Sequence, residues 1–181
     1  MTLDIPITVE FNMEIPLYRS TDEAPIYEWT GHGFDAQVRQ LTQIELMDSR
    51  PPVQIVELHG RLLYLDQHHG LPDGDGYQKD LKAMADAVWN WDTKQPRPAA
   101  TPETNRLLTI DRIAVANEYS GNRIGQRNLQ AVLRHFPNSL VTCIPAPDDN
   151  TALSQQAIRR YWTSQGFQPT ATDETVYWRK I

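Results

Sequence analysis

The side chains in this chain that could do chemistry are few, and the most informative group lies between Ile110 and Phe136, IDRIAVANEYSGNRIGQRNLQAVLRHF. An apolar run there meets a polar turn holding Gly121 and Gly125, and an amphipathic run leaves the turn. A helix that starts at such a turn has backbone N–H groups without intrahelical partners, and these can point at an anion. The two glycines let the backbone come close to a bulky phosphate. Arg123 and Arg127 put two cations where the helix dipole is already positive, an unfavourable place unless an anion sits among them. Two readings account for the pattern: an anion site, or a plain strand-turn-helix with solvent-facing arginines.

Asp111 is the second candidate. In an extended segment, alternation sets Asp111, Ile113 and Val115 on one face and Arg112 and Ala114 on the other. A carboxylate in apolar company is a candidate base or substrate anchor; the alternative is an acid paired with Arg112 or another base. Glu57 and Glu118 are lesser acid candidates. His68 and His69, with Asp66, Asp73 and Asp75 nearby, match no metal-ligand spacing, so no metal is expected. His32, His59 and His135 show no partner pattern. Cys143 lies in an apolar run and reads as a small buried hydrophobe. As the one cysteine it permits no disulfide within the chain, and a reducing, cytoplasmic setting is the expectation.

The elements that must position these residues follow from periodicity. Ile5 to Ile15 alternates as a half-buried strand, and Ser20 to Phe34, with Pro25, Gly31 and Gly33, reads as loop. Asp35 to Met47 reads as a helix. Val53 to Leu58 and Arg61 to Asp66 read as two strands joined by a turn at His59-Gly60. Tyr77, Leu81, Met84, Val88 and Trp91 recur at helical spacing. From Leu107 onward the order is strand (Leu107 to Val115), helix (Ile124 to Phe136), strand (Leu140 to Ile144), helix (Leu153 to Trp162, capped by Gly166) and a closing hairpin. Strands alternating with helices predict a mixed α/β fold.

At 181 residues the chain suits a single domain, and its formal net charge of -6 argues against general nucleic-acid binding. No apolar run has the roughly 20 residues a membrane helix needs, and the N-terminus does not read as a signal peptide.

The second half resembles the GCN5-related N-acetyltransferase (GNAT) superfamily. That family has a strand ending apolar-Ala-Val, here Ile113-Ala114-Val115. A turn of the form Arg/Gln-x-x-Gly-x-Gly/Ala follows, here Ser120-Gly121-Asn122-Arg123-Ile124-Gly125, with Ser120 for the first residue and Arg123 for the middle glycine. The late helix commonly ends aromatic-Tyr-x-x-x-Gly-Phe; here Tyr161-Trp162-Thr163-Ser164-Gln165-Gly166-Phe167 puts Trp162 at the tyrosine position. The resemblance covers Leu107 to Ile181. Residues 1–104 fit it less specifically, and the helix at 77–91 stands as an insertion.

The resemblance implies a GNAT-like acyl-coenzyme-A N-acyltransferase fold with a central mixed sheet flanked by helices. It implies acetyl-coenzyme A as co-substrate and direct attack by an amine, whether on a small molecule or a protein. The backbones of Ile113 and Val115 would hold the pantetheine arm. Gly121, Asn122, Arg123, Ile124, Gly125, Gln126 and Arg127 would hold the pyrophosphate. Tyr161 would serve the departing thiolate in place of Trp162, with Asp111 on the amine side. The strands at 107–115 and 140–144 should splay to admit the arm. The alternative is a non-catalytic ligand- or protein-binding domain of the same fold. Acceptor and oligomeric state are left open.

Overall fold

The computed structural model describes residues 7–14, 25–35, 53–97, 104–121, 123–146 and 151–181. The described elements are β1 (Ile7–Glu14), β2 (Ile26–Asp35), β3 (Gln54–Tyr64), α1 (Tyr77–Val88), a two-residue ribbon β4 (Trp89–Asn90) and β5 (Gln95–Pro96), β6 (Arg106–Ile110), β7 (Arg112–Val115), α2 (Ile124–Leu133), β8 (Ser139–Cys143), α3 (Ala152–Ser164), β9 (Gln168–Pro169) and β10 (Tyr177–Lys180). Eight strands form one sheet in the order β1-β2-β3-β6-β8-β10-β9, with β7 also on β3. All pairings are antiparallel except β6 with β8. A parallel pair needs a crossover, and α2 is that crossover. The chain is therefore a mixed α/β fold with a central sheet flanked by helices.

Alternation along the strands divides the sheet's two faces. Leu62, Leu108 and Val141 lie across one row and share a core with Ile124, Leu129, Val132 and Leu133 of α2 and Trp162 of α3. Leu63, Leu107 and Leu140 lie in the next row and share a core with Leu81, Ala85 and Val88 of α1. Each such side chain gains about 1.5–3 kcal/mol on full burial, so the apolar stripes of the helices decide which sheet face each one covers. Thr151 caps α3, its hydroxyl accepting from the Ser154 amide at 3.2 Å. Gly166 follows α3 at φ 83°, the conformation expected of its cap.

Several expectations need correction. Residues 26–34 are not loop but most of β2. Gly31 and Gly33 mark close packing there: a β-carbon on Gly31 would lie 3.1 Å from Val132, and one on Gly33 would run into the Asn128 amide of α2. Residues 53–66 are not a hairpin, because β3 passes straight through His59 and Gly60. Gly60 is required by proximity, since a β-carbon would collide with the Thr109 carbonyl oxygen and the Trp29 ring. The helix expected at 77–91 ends at Val88, with Trp89 already extended, and α2 ends at Leu133, with Phe136 still buried beyond it. The strand at 107–115 is interrupted at Asp111. The helix expected from Asp35 to Met47 lies, beyond Asp35 itself, outside the described residues.

Candidate functional site

The interruption at Asp111 builds the site. On the β3 side the register runs Leu62 to Leu108 and then His59 to Arg112, so three residues, Thr109 to Asp111, face two, Gly60 and Arg61. One extra residue in a paired strand is a β-bulge, which bends the strand and increases its twist. Before the bulge, β6 is bonded to β3 on one side and to β8 on the other, as far as Ile110 opposite Cys143. After it, β7 pairs with β3 alone, and β8 has ended. The two strands part at this point, and a cleft of about 750 Å³ opens between β7 and the segment that continues β8, which lines it with Ile144 and Ala146.

The walls of the cleft come from β7, the turn after it, the first turn of α2 and the exposed flank of α3. Asp111, Ile113, Val115, Gly121, Arg123, Ile124, Gly125, Gln126 and Tyr161 all line it. Arg127 lies on the exposed side of α2 and is not part of the lining. Asn122 lies outside the described residues. The sequence did not single out Ile144, Ile158 or Gln165, which also line the cleft; the α3 spacing of Ile158, Tyr161 and Gln165 was the signal available for two of them. A larger groove of about 860 Å³ between the β4–β5 ribbon and β9–β10 has Arg97 as its one titratable lining residue, and that guanidinium donates to the Trp89 carbonyl at 2.8 Å. It carries no comparable set of reactive groups.

Arg123 sits at the start of α2 with φ 56° and ψ 20°, a left-handed conformation, and no side chain caps this helix. The position that holds glycine in the GNAT-type turn therefore adopts a backbone that favours glycine. At Gly125 a β-carbon would lie 3.1 Å from Val115, 3.5 Å from Ile113 and 3.9 Å from the Tyr161 hydroxyl. The bare helix turn is thereby seated directly on β7.

Tyr161 and Trp162, adjacent in sequence, both line the cleft but differ in burial. Trp162 is 6% exposed and stacks edge-on against Phe167 at 4.9 Å. Tyr161 is half-buried, its phenol pushed up to about 12 by desolvation and secondarily by Cys143. It remains a neutral hydrogen-bond donor across the physiological range. Burial also pushes the Cys143 thiol well above its ordinary value, which keeps it protonated and unreactive.

Asp111 is held in place. Arg61 Nε donates to its Oδ2 at 2.8 Å and Arg61 Nη2 to its Oδ1 at 3.0 Å, while the Thr109 hydroxyl donates to Oδ1 at 2.9 Å. The two side chains of the pair are 8% and 9% exposed. The partner is thus Arg61, fifty positions away in sequence, and not the neighbouring Arg112. Among the described residues no cluster of three or more His, Cys, Asp or Glu could hold a metal, and no helix is long and apolar enough to cross a membrane.

No family model, curated protein or solved structure matches the chain.

Proposed function

We propose that residues 1–181 form one GNAT-like domain that binds acetyl-coenzyme A in the β7–β8 cleft and transfers its acetyl group to an amine. The observation that carries this reading is the parting of β7 from β8 at a bulge, with a cleft between them that ends on an uncapped helix turn. The left-handed Arg123 at the motif's glycine position supports it independently. A cleft of about 750 Å³ accommodates an extended arm, and free edge groups of β7 suit hydrogen bonding to the arm's amides.

In this reading the backbones of Ile113 and Val115 hold the pantetheine arm. The amides from Asn122 to Gln126, with Gly121, Arg123 and Arg127, hold the pyrophosphate at the positive end of α2. Tyr161 donates a hydrogen bond to the sulfur. Its phenol near 12 lies about 3.5 units above an ordinary thiol near 8.5, so complete proton transfer to a solvated thiolate is uphill by roughly 5 kcal/mol. The phenol therefore stabilises the thiolate by donation, and transfers its proton only as far as the sulfur is itself desolvated. Asp111 acts as the fixed anchor of the amine side, its position set by Arg61.

A non-catalytic binding domain is the second reading, favoured by the commitment of Asp111 to Arg61 and Thr109. Calorimetric titration with coenzyme A and dephospho-coenzyme A tests both. The parent should bind coenzyme A, and Gly125→Val, folded by circular dichroism, should lose at least about 100-fold, or about 2.7 kcal/mol. Unchanged binding in that variant would remove the clamp from this turn. Binding without transfer to any amine would favour the second reading.

A further inference from the structure

The acyl-transfer reading, on which this inference rests, requires a group to take a proton from the incoming ammonium before nitrogen can attack. Asp111 is badly placed for that task. It is 9% exposed and already receives three hydrogen bonds from Arg61 and Thr109. The other side of the bulge offers a better one. A hollow of about 310 Å³ opens there over Glu28, Thr30, His59 and Arg61, and it shares Asp111 and Arg112 with the main cleft. Six of its eight lining residues are polar or charged, with Trp29 and Gly60 completing the wall, and its volume is small.

His59 lies in this hollow, directly opposite Arg112 in the β3–β7 register, and its carbonyl accepts from the Asp111 amide at 2.8 Å. The His59 backbone is therefore tied to the bulge itself. Glu57, two residues earlier, shares its face of β3, and His59 Nε2 lies 3.0 Å from Glu57 Oε1. The His59 hydrogen bond, with smaller pulls from the charges of His59, Arg112 and His32 against an opposing cost of burial, holds the Glu57 carboxyl below its ordinary value. An ionised carboxylate that accepts from Nε2–H fixes the tautomer and leaves Nδ1 as a proton acceptor. The His59 side chain is 39% exposed, so the proton has a path to water.

We propose that His59, oriented by Glu57, takes the proton from a small polar primary amine bound in this hollow. The ammonium gives one proton to His59 Nδ1, which passes it to water. The neutral nitrogen's lone pair forms the bond to the acyl carbon, and the carbon–sulfur bond breaks with its pair on sulfur. The second proton that nitrogen loses balances the one sulfur takes up. The charged groups around His59 are Glu57 and Arg61 on β3, Glu28 and His32 on β2, and Asp111 and Arg112 at the bulge. Arg61 is paired with Asp111, and Glu28, Glu57, His32 and Arg112 are the other charged or titratable groups beside His59.

The test uses the full chain with acetyl-coenzyme A and two probe amines, ethanolamine and glycinamide. Coenzyme A titration is run alongside. If the parent fails to bind coenzyme A, the acyl-transfer reading fails and the dyad falls with it. With binding intact, His59→Gln should lower kcat about 100-fold at pH 7 and leave KM within about twofold. The deficit should shrink as pH rises and the amine deprotonates in solution, and shrink sooner for the less basic glycinamide. Glu57→Gln should lower kcat about tenfold as a positioning residue. Added imidazole should partly restore His59→Gly. Equal kcat in parent and His59→Gln at pH 7, a deficit that does not change with pH, or a parent that binds coenzyme A yet acetylates neither amine would each overturn the proposal.

Discussion

The strand from Arg106 to Val115 behaves as two different objects on either side of Asp111. Its first half, β6, is bonded on both edges, and Leu107 and Leu108 are fully buried. Its second half, β7, is bonded on one edge only, and its residues are half-buried or exposed. The sequence of the two halves is similarly apolar. What differs is the extra residue at the bulge, which turns β7 away from β8 and converts a core strand into a cleft wall. A sheet can thus open a binding edge in its middle without giving up pairing on the other side.

That contrast can be broken in order of expected effect. Gly60→Ala strikes the closed half, where the new methyl meets the Thr109 carbonyl and the Trp29 ring. Backbone cannot step aside as a side chain can, so the loss of stability should reach at least about 3 kcal/mol in urea denaturation. An unchanged midpoint would mean that the strands are not locked at the bulge. Asp111→Asn strikes the junction. It removes the carboxylate charge from the buried Arg61 pair while the amide oxygen still accepts, so about 2 kcal/mol should be lost. Stability and turnover should fall together; turnover falling alone would give Asp111 a chemical role beyond anchoring. Tyr161→Phe acts on the open half. The phenol moves from 10.0 unfolded to about 12 folded. The unfolded chain therefore ionises first, and the stability held below pH 10 declines as pH rises toward 12. Because the group is only partly buried, the decline attributable to it should be about 1 kcal/mol, and the phenylalanine variant should lack it.

How much of this was legible varied with the range of the forces involved. The second half reads well from sequence because its strands and helices are set by local periodicity: Leu129, Val132 and Leu133 announce α2, and Gly166 announces the end of α3. The first half misled where glycine served a distant neighbour. Gly31 and Gly33 look like loop punctuation, yet they make room for α2; Gly60 looks like a turn, yet it yields to Thr109. The false turn at His59-Gly60 also hid the Glu57–His59 pair, since residues two apart share a face only in an unbroken strand. For Asp111 the alternation rule drew attention to a residue that does line the cleft, but nothing local points to its partner Arg61. The interruption of the strand depends on the β3 register and had no sequence signal of its own.

The smallest effect concerns Arg123, where two causes can be separated. Its left-handed backbone costs a side-chain-bearing residue of order 1 kcal/mol, and glycine at the same φ of 56° avoids that cost. Its guanidinium, at the mouth of the cleft, attracts an anion but is screened by water and salt. Arg123→Ala removes the charge and keeps the strained backbone, whereas Arg123→Gly removes both. The glycine variant should therefore be more stable than the alanine variant by about 1 kcal/mol, less the extra entropy that glycine loses on folding. Thermal unfolding of the pair reads this difference directly. Both should bind coenzyme A less tightly than the parent by a few-fold at low ionic strength, and that difference should fade as salt is added. If glycine instead tightens binding above the parent, the arginine side chain obstructs the turn more than its charge helps. Equal melting temperatures for the two variants would mean that the left-handed turn is not maintained in solution, and the likeness of this loop to the GNAT pyrophosphate turn would lose its backbone basis.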